Sequence, residues 1–293
     1  MRVVAVPVRR LDSAKTRLAP LLSAAERGAV ALAMARDVLA ACADQSDWET
    51  WVVSADRTVL GAGARAGAVP VEEEGTSLLA AVRQVERRAV EAGATALGIV
   101  LADLPLITAR SLASALEPVD AVVGVRAASD GGTNVLVRRP PAAIPALFGR
   151  ASFARHQQAA TRRGFGVRRV DAEELAFDLD RPEDVRTLVE SGRGGEAMDM
   201  VRDMGVAERF DARPDAGDDR LREGEMQGTI KEFDAASGVG VLLLDDGTEV
   251  AIDPASTEGS EIRYLRLGQR VDFDVDEDGD RKLARGLHIV TFA

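Results

Sequence analysis

A chain of 293 residues is long enough for one or two domains with proper cores. Its net charge of −11 argues against general binding to nucleic-acid backbones, which calls for basic stripes, and the acidity is uneven: Leu221 to Ala293 carries 8 Lys/Arg and 16 Asp/Glu, a net of −8 against −3 for the residues before it. The single cysteine, Cys42, excludes an internal disulfide and a thiolate metal cluster, so a metal would need oxygen ligands.

The opening MRVVAVPVRR holds no apolar stretch of signal-peptide length, and no later segment approaches the roughly 18 uninterrupted apolar residues needed to span a bilayer. A cytoplasmic protein with no membrane partner is therefore the default. The first strand, VVAVPV, runs into a loop with Arg9, Arg10, Lys15 and Arg17 before a helix that starts near Ser23 and continues to Cys42. Cations at the carboxyl end of a leading strand can neutralise a triphosphate and its departing pyrophosphate; for Arg9 and Arg10 a solvated face explains them as well. Lys15 stands out because the chain has only Lys15, Lys231 and Lys282. The loop lacks the glycines and the GK[ST] of a P-loop, which disfavours a Walker-type ATPase.

Farther along come the strand TWVVSA, a helix over Ser77 to Ala92, and LGIVLADLPL, an apolar run that stops at Asp103 before Leu104 and Pro105. In open α/β sheets the carboxyl ends of strands face the ligand crevice, so Asp103 is placed to hold a hard cation and its phosphates; a turn before Pro105 is the alternative. After a helix over Ser111 to Leu116 and the strand DAVVGV, GGTNVLVRR puts Gly131, Gly132, Thr133 and Asn134 before another strand. Two glycines and a hydroxyl suit an anion, and equally a hairpin loop. In FGRASFARHQQAATRRG, Gly149 and Ser152 precede a helix to Arg163, with Ser152 the expected N-cap of an anion-attracting helix start. His156, one turn in, reads as structural or as a supporting donor. Finally, FDLDRPEDV places Asp178 and Asp180 on one side of a strand end, with Pro182 opening a helix and Asp184 in its first turn.

Strands alternating with helices up to about residue 190 imply right-handed crossovers and an α/β fold with a mainly parallel sheet covered on both faces. Residues 191–220 hold SGRGG, one helical piece and the polar run DARPDAGDD, which together read as a linker, with the boundary near 215 to 222. From Met226 the pattern changes to strands joined by turns, including DDGTEVAI and DEDGD, as in a small all-β module.

The segments VPVRRLDSAKTRLA with the following ER, VVSAD, LADLPLIT, GGTNVLV, FGRASFARH and DLDRPEDV, spread over about residues 1 to 190, resemble the CofC/FbiD family of guanylyltransferases of deazaflavin coenzyme (F-420) biosynthesis, relatives of the MobA-like nucleotidyltransferases. The resemblance implies a Rossmann-like fold of the nucleotide-diphospho-sugar transferase type over residues 1–215. It also implies magnesium-dependent transfer of GMP from GTP to phosphoenolpyruvate, with 2-phospholactate or 3-phosphoglycerate as alternative acceptors, and a downstream transferase of the same pathway as partner. Carried over by position, Lys15, Arg17 and Asp103 would be catalytic; Pro7, Ser54 and Gly75 would join Lys15 and Arg17 at the nucleotide; Thr133, Gly149 and Ser152 would hold phosphoenolpyruvate; and Asp103, Asp178 and Asp180 would hold magnesium. Two positions depart from the family pattern: Leu79 stands where an asparagine is expected, and Arg181 replaces a small hydroxyl residue before Pro182, which would weaken the helix cap.

The tail from MQGTIKEF to LRLGQRVDFDVDED resembles a cold-shock domain, a small OB-type barrel over residues 222–293. Glu232, Val239, Val241 and Ala251 stand where that family presents base-stacking aromatics, and only Phe233 remains nearby. The expectation is no nucleic-acid binding and a structural, oligomer-forming or regulatory role, with a homodimer among the outcomes. Two rival readings are a nucleotidyltransferase acting on a sugar phosphate or molybdopterin, against which the first loop lacks GxSxRxG, and a nucleotide-sensing regulatory protein.

Overall fold

The structure is a computed structural model that describes residues 1–118, 120–206, 209, 225–234, 237–244, 248–257, 265, 269–278 and 281–289. The chain divides into two compact units, Met1–Ala212 and Arg213–Ala293. The polar run 211–219, the boundary at 215–222 and the turns at 245–247 and 279–280 lie outside the described residues.

The first unit runs β1 (Arg2–Pro7), α1 (Ala24–Ala43), β2 (Glu49–Ser54), α2 (Arg57–Arg65), β3 (Val69–Glu72), α3 (Leu78–Glu91), β4 (Ala96–Val100), α4 (Ala109–Leu116), β5 (Val122–Arg126), β6 (Thr133–Arg138), α5 (Ser152–Arg162), β7 (Val167–Arg169), α6 (Glu173–Ala176), α7 (Pro182–Ser191) and α8 (Glu196–Asp203). Its seven strands form one sheet in the order β3-β2-β1-β4-β6-β5-β7. Only β6 runs antiparallel to its neighbours, β4 and β5. The connection over 127–132 is too short for the crossover of a dozen or more residues that a parallel partner needs, so β5 and β6 must form a hairpin.

Burial alternates along β1: Val4 and Val6 join α1 and α4 in one layer, while Val3 and Ala5 pack with Val82 and Val85 of α3 on the other face. Helix starts follow local chemistry, with Ser23 and Glu26 making a capping box for α1 and Ser77 accepting from the Ala80 amide. The helix expected from Ser111 begins earlier, because Thr108 caps it and bonds the Ser111 amide. Strand β3 is too short to show a period, and its Pro70 suits the sheet edge it occupies. Arg181 gives α7 no side-chain cap, as expected, and the helix start keeps only the reciprocal contact in which Asp184 Oδ2 accepts the amides of Asp180 at 2.8 Å and Arg181 at 2.7 Å. Burial pushes the Cys42 thiol up to about 12, as befits apolar filler in α1.

The helical piece expected within the 191–220 linker is part of the packed first unit. Helix α8 belongs to the first unit: Ala197, Met198 and Val201, with Val206 beyond, are buried against Val30, Ala33 and Met34 of α1. Sequence composition gives no view of this, because the apolar stripe is short and its cap comes from another helix. Asp37 of α1 accepts the amides of Glu196 at 2.7 Å and Ala197 at 2.9 Å. Asp37→Ala is therefore expected to cost about 1–2 kcal/mol, read as a lowered urea midpoint with unchanged slope.

In the second unit β8 (Glu225–Asp234), β9 (Val239–Leu244), β10 (Glu249–Ile252), β11 (Arg270–Asp278) and β12 (Arg281–Ile289) form a mostly antiparallel sheet. A single parallel pair, Ala251 with Leu283, joins β10 to β12, so the order β10-β12-β11-β8-β9 returns on itself. Ile230, Leu242, Val250, Ile252, Val271 and Phe273 fill its interior. Gly228 allows this packing, since a Cβ there would lie 2.6 Å from Leu242 Cδ1.

Candidate active site

Strands β1 and β4 are neighbours, with β2 beyond one and β6 beyond the other, so the crevice at their carboxyl ends is the topological switch point of the sheet. The loop after β1 is tied down from its base. Val8 N–H donates to Val53 O at 2.8 Å, and Asp56 accepts the Leu11 amide at 3.1 Å while capping α2 through the Thr58 amide at 2.8 Å. Asp56 is the working residue of VVSAD, a role that sequence reading missed. Ser54, expected at the nucleotide, is fully buried, and its hydroxyl accepts the Asp56 amide. Pro7 is buried at the end of β1. Lys15 adopts a left-handed backbone with φ 50°, a conformation that costs a non-glycine residue about 1 kcal/mol or more and that concentrates at functional positions.

That backbone carries the Lys15 ammonium to 2.9 Å from Asp103 Oδ2 and 3.1 Å from Asp180 Oδ1. Arg17 Nη1 reaches Asp180 Oδ2 at 2.9 Å. Asp178 and Asp180 arrive on residues 177–180, an irregular segment and not the expected strand end. Between them Leu179 is fully buried, and its amide donates to the Asp103 carbonyl at 3.0 Å. Upstream, the Asn134 amide donates to the carbonyls of Leu175 at 3.0 Å and Ala176 at 3.2 Å, so the asparagine of GGTN orders the segment that brings in both carboxylates. Both Asp178 oxygens face the Ser129 hydroxyl, at 3.0 and 2.8 Å.

Charge is concentrated here. Burial works against the Lys15 ammonium, but Asp103 and Asp180 outweigh it and raise its pKa. Burial would likewise raise Asp180, yet Lys15 and Arg17 hold it below the usual carboxylate range. Asp178 goes the other way: burial raises it, and repulsion from Asp103 and Asp180 adds to that. The three expected metal ligands thus share one electrostatic neighbourhood. Asp103 Oδ1 is buried without a hydrogen-bond partner, an oxygen available to a cation. With Lys15 set between Asp103 and Asp180, no group of three or more His, Cys, Asp or Glu is spaced to hold an ion among the described residues.

Thr133, Gly149 and Ser152 come together on a different structural support, the start of α5. Ser152 is not the N-cap expected of it. Ala151 occupies that position in a left-handed conformation, Ser152 is the first helical residue, and its hydroxyl lies 2.9 Å from Thr133 Oγ1. Its amide and that of Phe153 bond the carbonyls of Gly149 and Gly131, so the helix start is less bare than the sequence implied. Gly149 has φ 119°, a conformation open to glycine. A cavity of about 330 Å³ borders the same turns, lined by Arg126, Asp130, Gly131, Phe153, Gln157 and Arg169. Gly75 lies apart, after β3, where a Cβ would sit 2.5 Å from Ala80 Cβ; the turn is held by Gln84, which donates to Glu72 O at 2.8 Å. Leu79, in the first turn of α3, packs against the core.

His156 is fully buried, and burial, with Arg138 and Arg155 nearby, lowers its pKa to about 4. The unfolded chain binds a proton near pH 6.5 and the folded one does not, so this group's stabilisation is present above that pH and is lost as pH falls towards 4. The span corresponds to about 3 kcal/mol. His156→Phe should flatten the fall in urea-unfolding free energy between pH 6.5 and 4; an unchanged slope would count against a buried neutral ring.

The model of the family described as "Guanylyl transferase CofC like" matches residues 1–222. Phosphoenolpyruvate guanylyltransferase of Rubrobacter xylanophilus is 42% identical over 190 residues, 64% of this chain and 93% of that protein. The 2-phospho-L-lactate guanylyltransferase of Methanothermobacter thermautotrophicus is 34% identical over 217 residues, 74% of this chain and 95% of that protein. A solved structure from Desulfovibrio desulfuricans, assigned as a nucleotide-diphospho-sugar transferase, superposes with TM-score 0.60 at 14% identity, covering 72% of this chain and 99% of the other. At that identity the likeness speaks for the fold alone.

Proposed function

This chain belongs to the CofC-like guanylyl transferase family and is a nucleotidyltransferase, and from that premise we propose that it transfers GMP from GTP to phosphoenolpyruvate in deazaflavin coenzyme (F-420) biosynthesis. The observation that supports this most directly is the convergence of Lys15, Asp103, Asp178 and Asp180 from three distant segments on the switch point of the sheet. The acceptor's phosphate oxygen is already anionic at neutral pH, so it attacks the α-phosphorus of GTP without a general base, and the bond to the β-phosphate breaks to release pyrophosphate. The protein's task is to offset repulsion between two polyanions and align the attack.

Magnesium bound by Asp103 with Asp178 and Asp180 would supply charge neutralisation at the phosphates. The free Asp103 oxygen and the crowded Asp178 support that fit. Lys15 and Arg17, paired with Asp103 and Asp180, are the cations that face the triphosphate; Pro7, Ser54 and Gly75 would line the rest of the nucleotide site, with the Ser54 hydroxyl engaged inward. Thr133, Gly149 and Ser152 take the acceptor.

Incubation with GTP, magnesium and phosphoenolpyruvate, 2-phospholactate or 3-phosphoglycerate in turn, with pyrophosphate release followed and a downstream deazaflavin transferase present to pull the reaction, tests the reading. Fastest release with phosphoenolpyruvate is expected. Faster release with another acceptor would reassign the substrate, and turnover only with a sugar phosphate would overturn the proposal. A cytoplasmic enzyme, a transferase domain over 1–215 and a homodimer complete it.

We read residues 222–293, within the second unit, as an OB or cold-shock-like barrel without a nucleic-acid surface. Exposed Glu232 and half-exposed Val239 flank a shallow cavity of about 350 Å³ together with Phe233, Asp234 and Val241, and Lys231 is taken up by Glu249 at 2.6 Å. An acidic rim without stacked aromatics opposes a polyanion. Fluorescent oligonucleotides titrated at low salt should show no saturable binding; micromolar affinity would refute this reading.

A further inference from the structure

Behind the two hydroxyls assigned above to the acceptor lies a histidine that guanylyl transfer itself does not require. His156 Nε2 is 2.8 Å from the Leu147 backbone nitrogen. An amide can only donate, so Nε2 carries no hydrogen, and in a neutral ring the hydrogen is on Nδ1. Nδ1–H therefore donates to Thr133 Oγ1, 3.0 Å away. Phe148 meets the ring edge-on, with centroids 5.5 Å apart, and holds its plane.

The consequence comes from counting hydrogens. Thr133 and Ser152 own two hydroxyl hydrogens. One is spent in the 2.9 Å bond between them, and none is spent on the histidine, which is itself a donor. One hydrogen remains for an outside acceptor. With the opposite tautomer Thr133 would have to donate to Nδ1 and Ser152 to Thr133, leaving nothing for an anion, while two N–H groups would face each other at Leu147. The tautomer thus decides whether the pair is a donor at all.

We propose that His156, locked by the Leu147 amide, is a positioning residue that keeps one hydroxyl hydrogen of the Thr133–Ser152 pair free to bind an anionic oxygen of the acceptor. This rests on the assignment of that pair to the acceptor, and two measurements separate the two ideas. The chain has only two histidines, so a His288→Gln variant leaves His156 as the sole imidazole for nitrogen NMR. At pH 7 its Nε2 should resonate as an unprotonated nitrogen and its Nδ1 as a protonated one; the reverse pattern or an imidazolium overturns the proposal, whatever the protein turns over.

In steady-state kinetics, His156→Phe should raise the KM for phosphoenolpyruvate about tenfold, the loss of one charge-assisted hydrogen bond, and leave the KM for GTP within about twofold. His156→Asn, whose amide keeps a donor near Nδ1, should recover most of that loss. Thr133→Val breaks the same chain from the other side, and combining it with His156→Phe should be no worse than the worse single change. An unchanged acceptor KM in folded variants, or fully additive effects, would sink the positioning role. Wild-type protein inactive with every acceptor would instead sink the substrate reading, with the tautomer still read by NMR.

Discussion

Asp103→Asn is expected to lower turnover by about 10³-fold or more while the melting temperature stays within a few degrees of the parent. The residue follows the end of β4 at the switch point, with one oxygen 2.9 Å from Lys15 and the other buried and unpartnered. The isosteric amide keeps the volume and a carbonyl oxygen for Lys15, which also retains Asp180. What disappears is a full negative charge aimed at a cation site, needed when two polyanions meet and worth little to the resting fold. Pyrophosphate release under single-turnover conditions measures the first part and thermal unfolding the second. Near-normal turnover would remove Asp103 from the chemistry, and a collapsed melting temperature would make it structural.

Lys15→Met should act on both stability and chemistry. The Lys15 side chain is only 9% exposed and is the shared counter-ion of Asp103 and Asp180. Removing one member of a buried ion pair costs about 3–5 kcal/mol, but these carboxylates keep about a third of their exposure, so about 1–3 kcal/mol is expected. The kcat/KM for GTP should fall about 10²–10³-fold, as for loss of a preorganised charge at the phosphates. A further effect distinguishes this variant from a merely damaged one. With their ammonium gone, the carboxylates should bind a divalent ion more tightly than in the parent, so magnesium or manganese should raise the variant's melting temperature by more than it raises the parent's. Equal shifts in the two proteins would mean that Lys15 and the ion do not compete for the same oxygens.

Much of this arrangement was legible in the chain because it is local. The apolar run ending at Asp103, the Ser23 and Ser77 caps and the Pro182 helix start are read from neighbours a few residues apart, and each occurs where the spacing implies. Errors arose where a residue's partner was distant. Ser152 reads as a cap because it precedes a helix, whereas its hydroxyl bonds Thr133 on a strand. Helix α8 reads as a helical piece of a linker, and its packing on α1 is hidden because Asp37, 159 residues away, supplies its cap. Asp56 and Asn134 stood in recognised motifs with no role attached, since the amides and carbonyls they satisfy lie in other segments.

Sequence by itself determined the strand and helix alternation, the family, and which side chains have the chemistry to serve a nucleotide. The alternation follows from steric periods of two and 3.6 residues, the family from the resemblance of motifs such as GGTNVLV and FGRASFARH, and the chemistry from residue type, none of which needs knowledge of the folded shape. Only tertiary structure decided that Lys15 would meet carboxylates 88 and 165 positions away, that β6 would turn back as the lone antiparallel strand of the first unit's sheet, and which nitrogen of His156 holds its hydrogen. Hydrogen bonds and ion pairs act over about 3 Å, and only folding brings such distant groups that close.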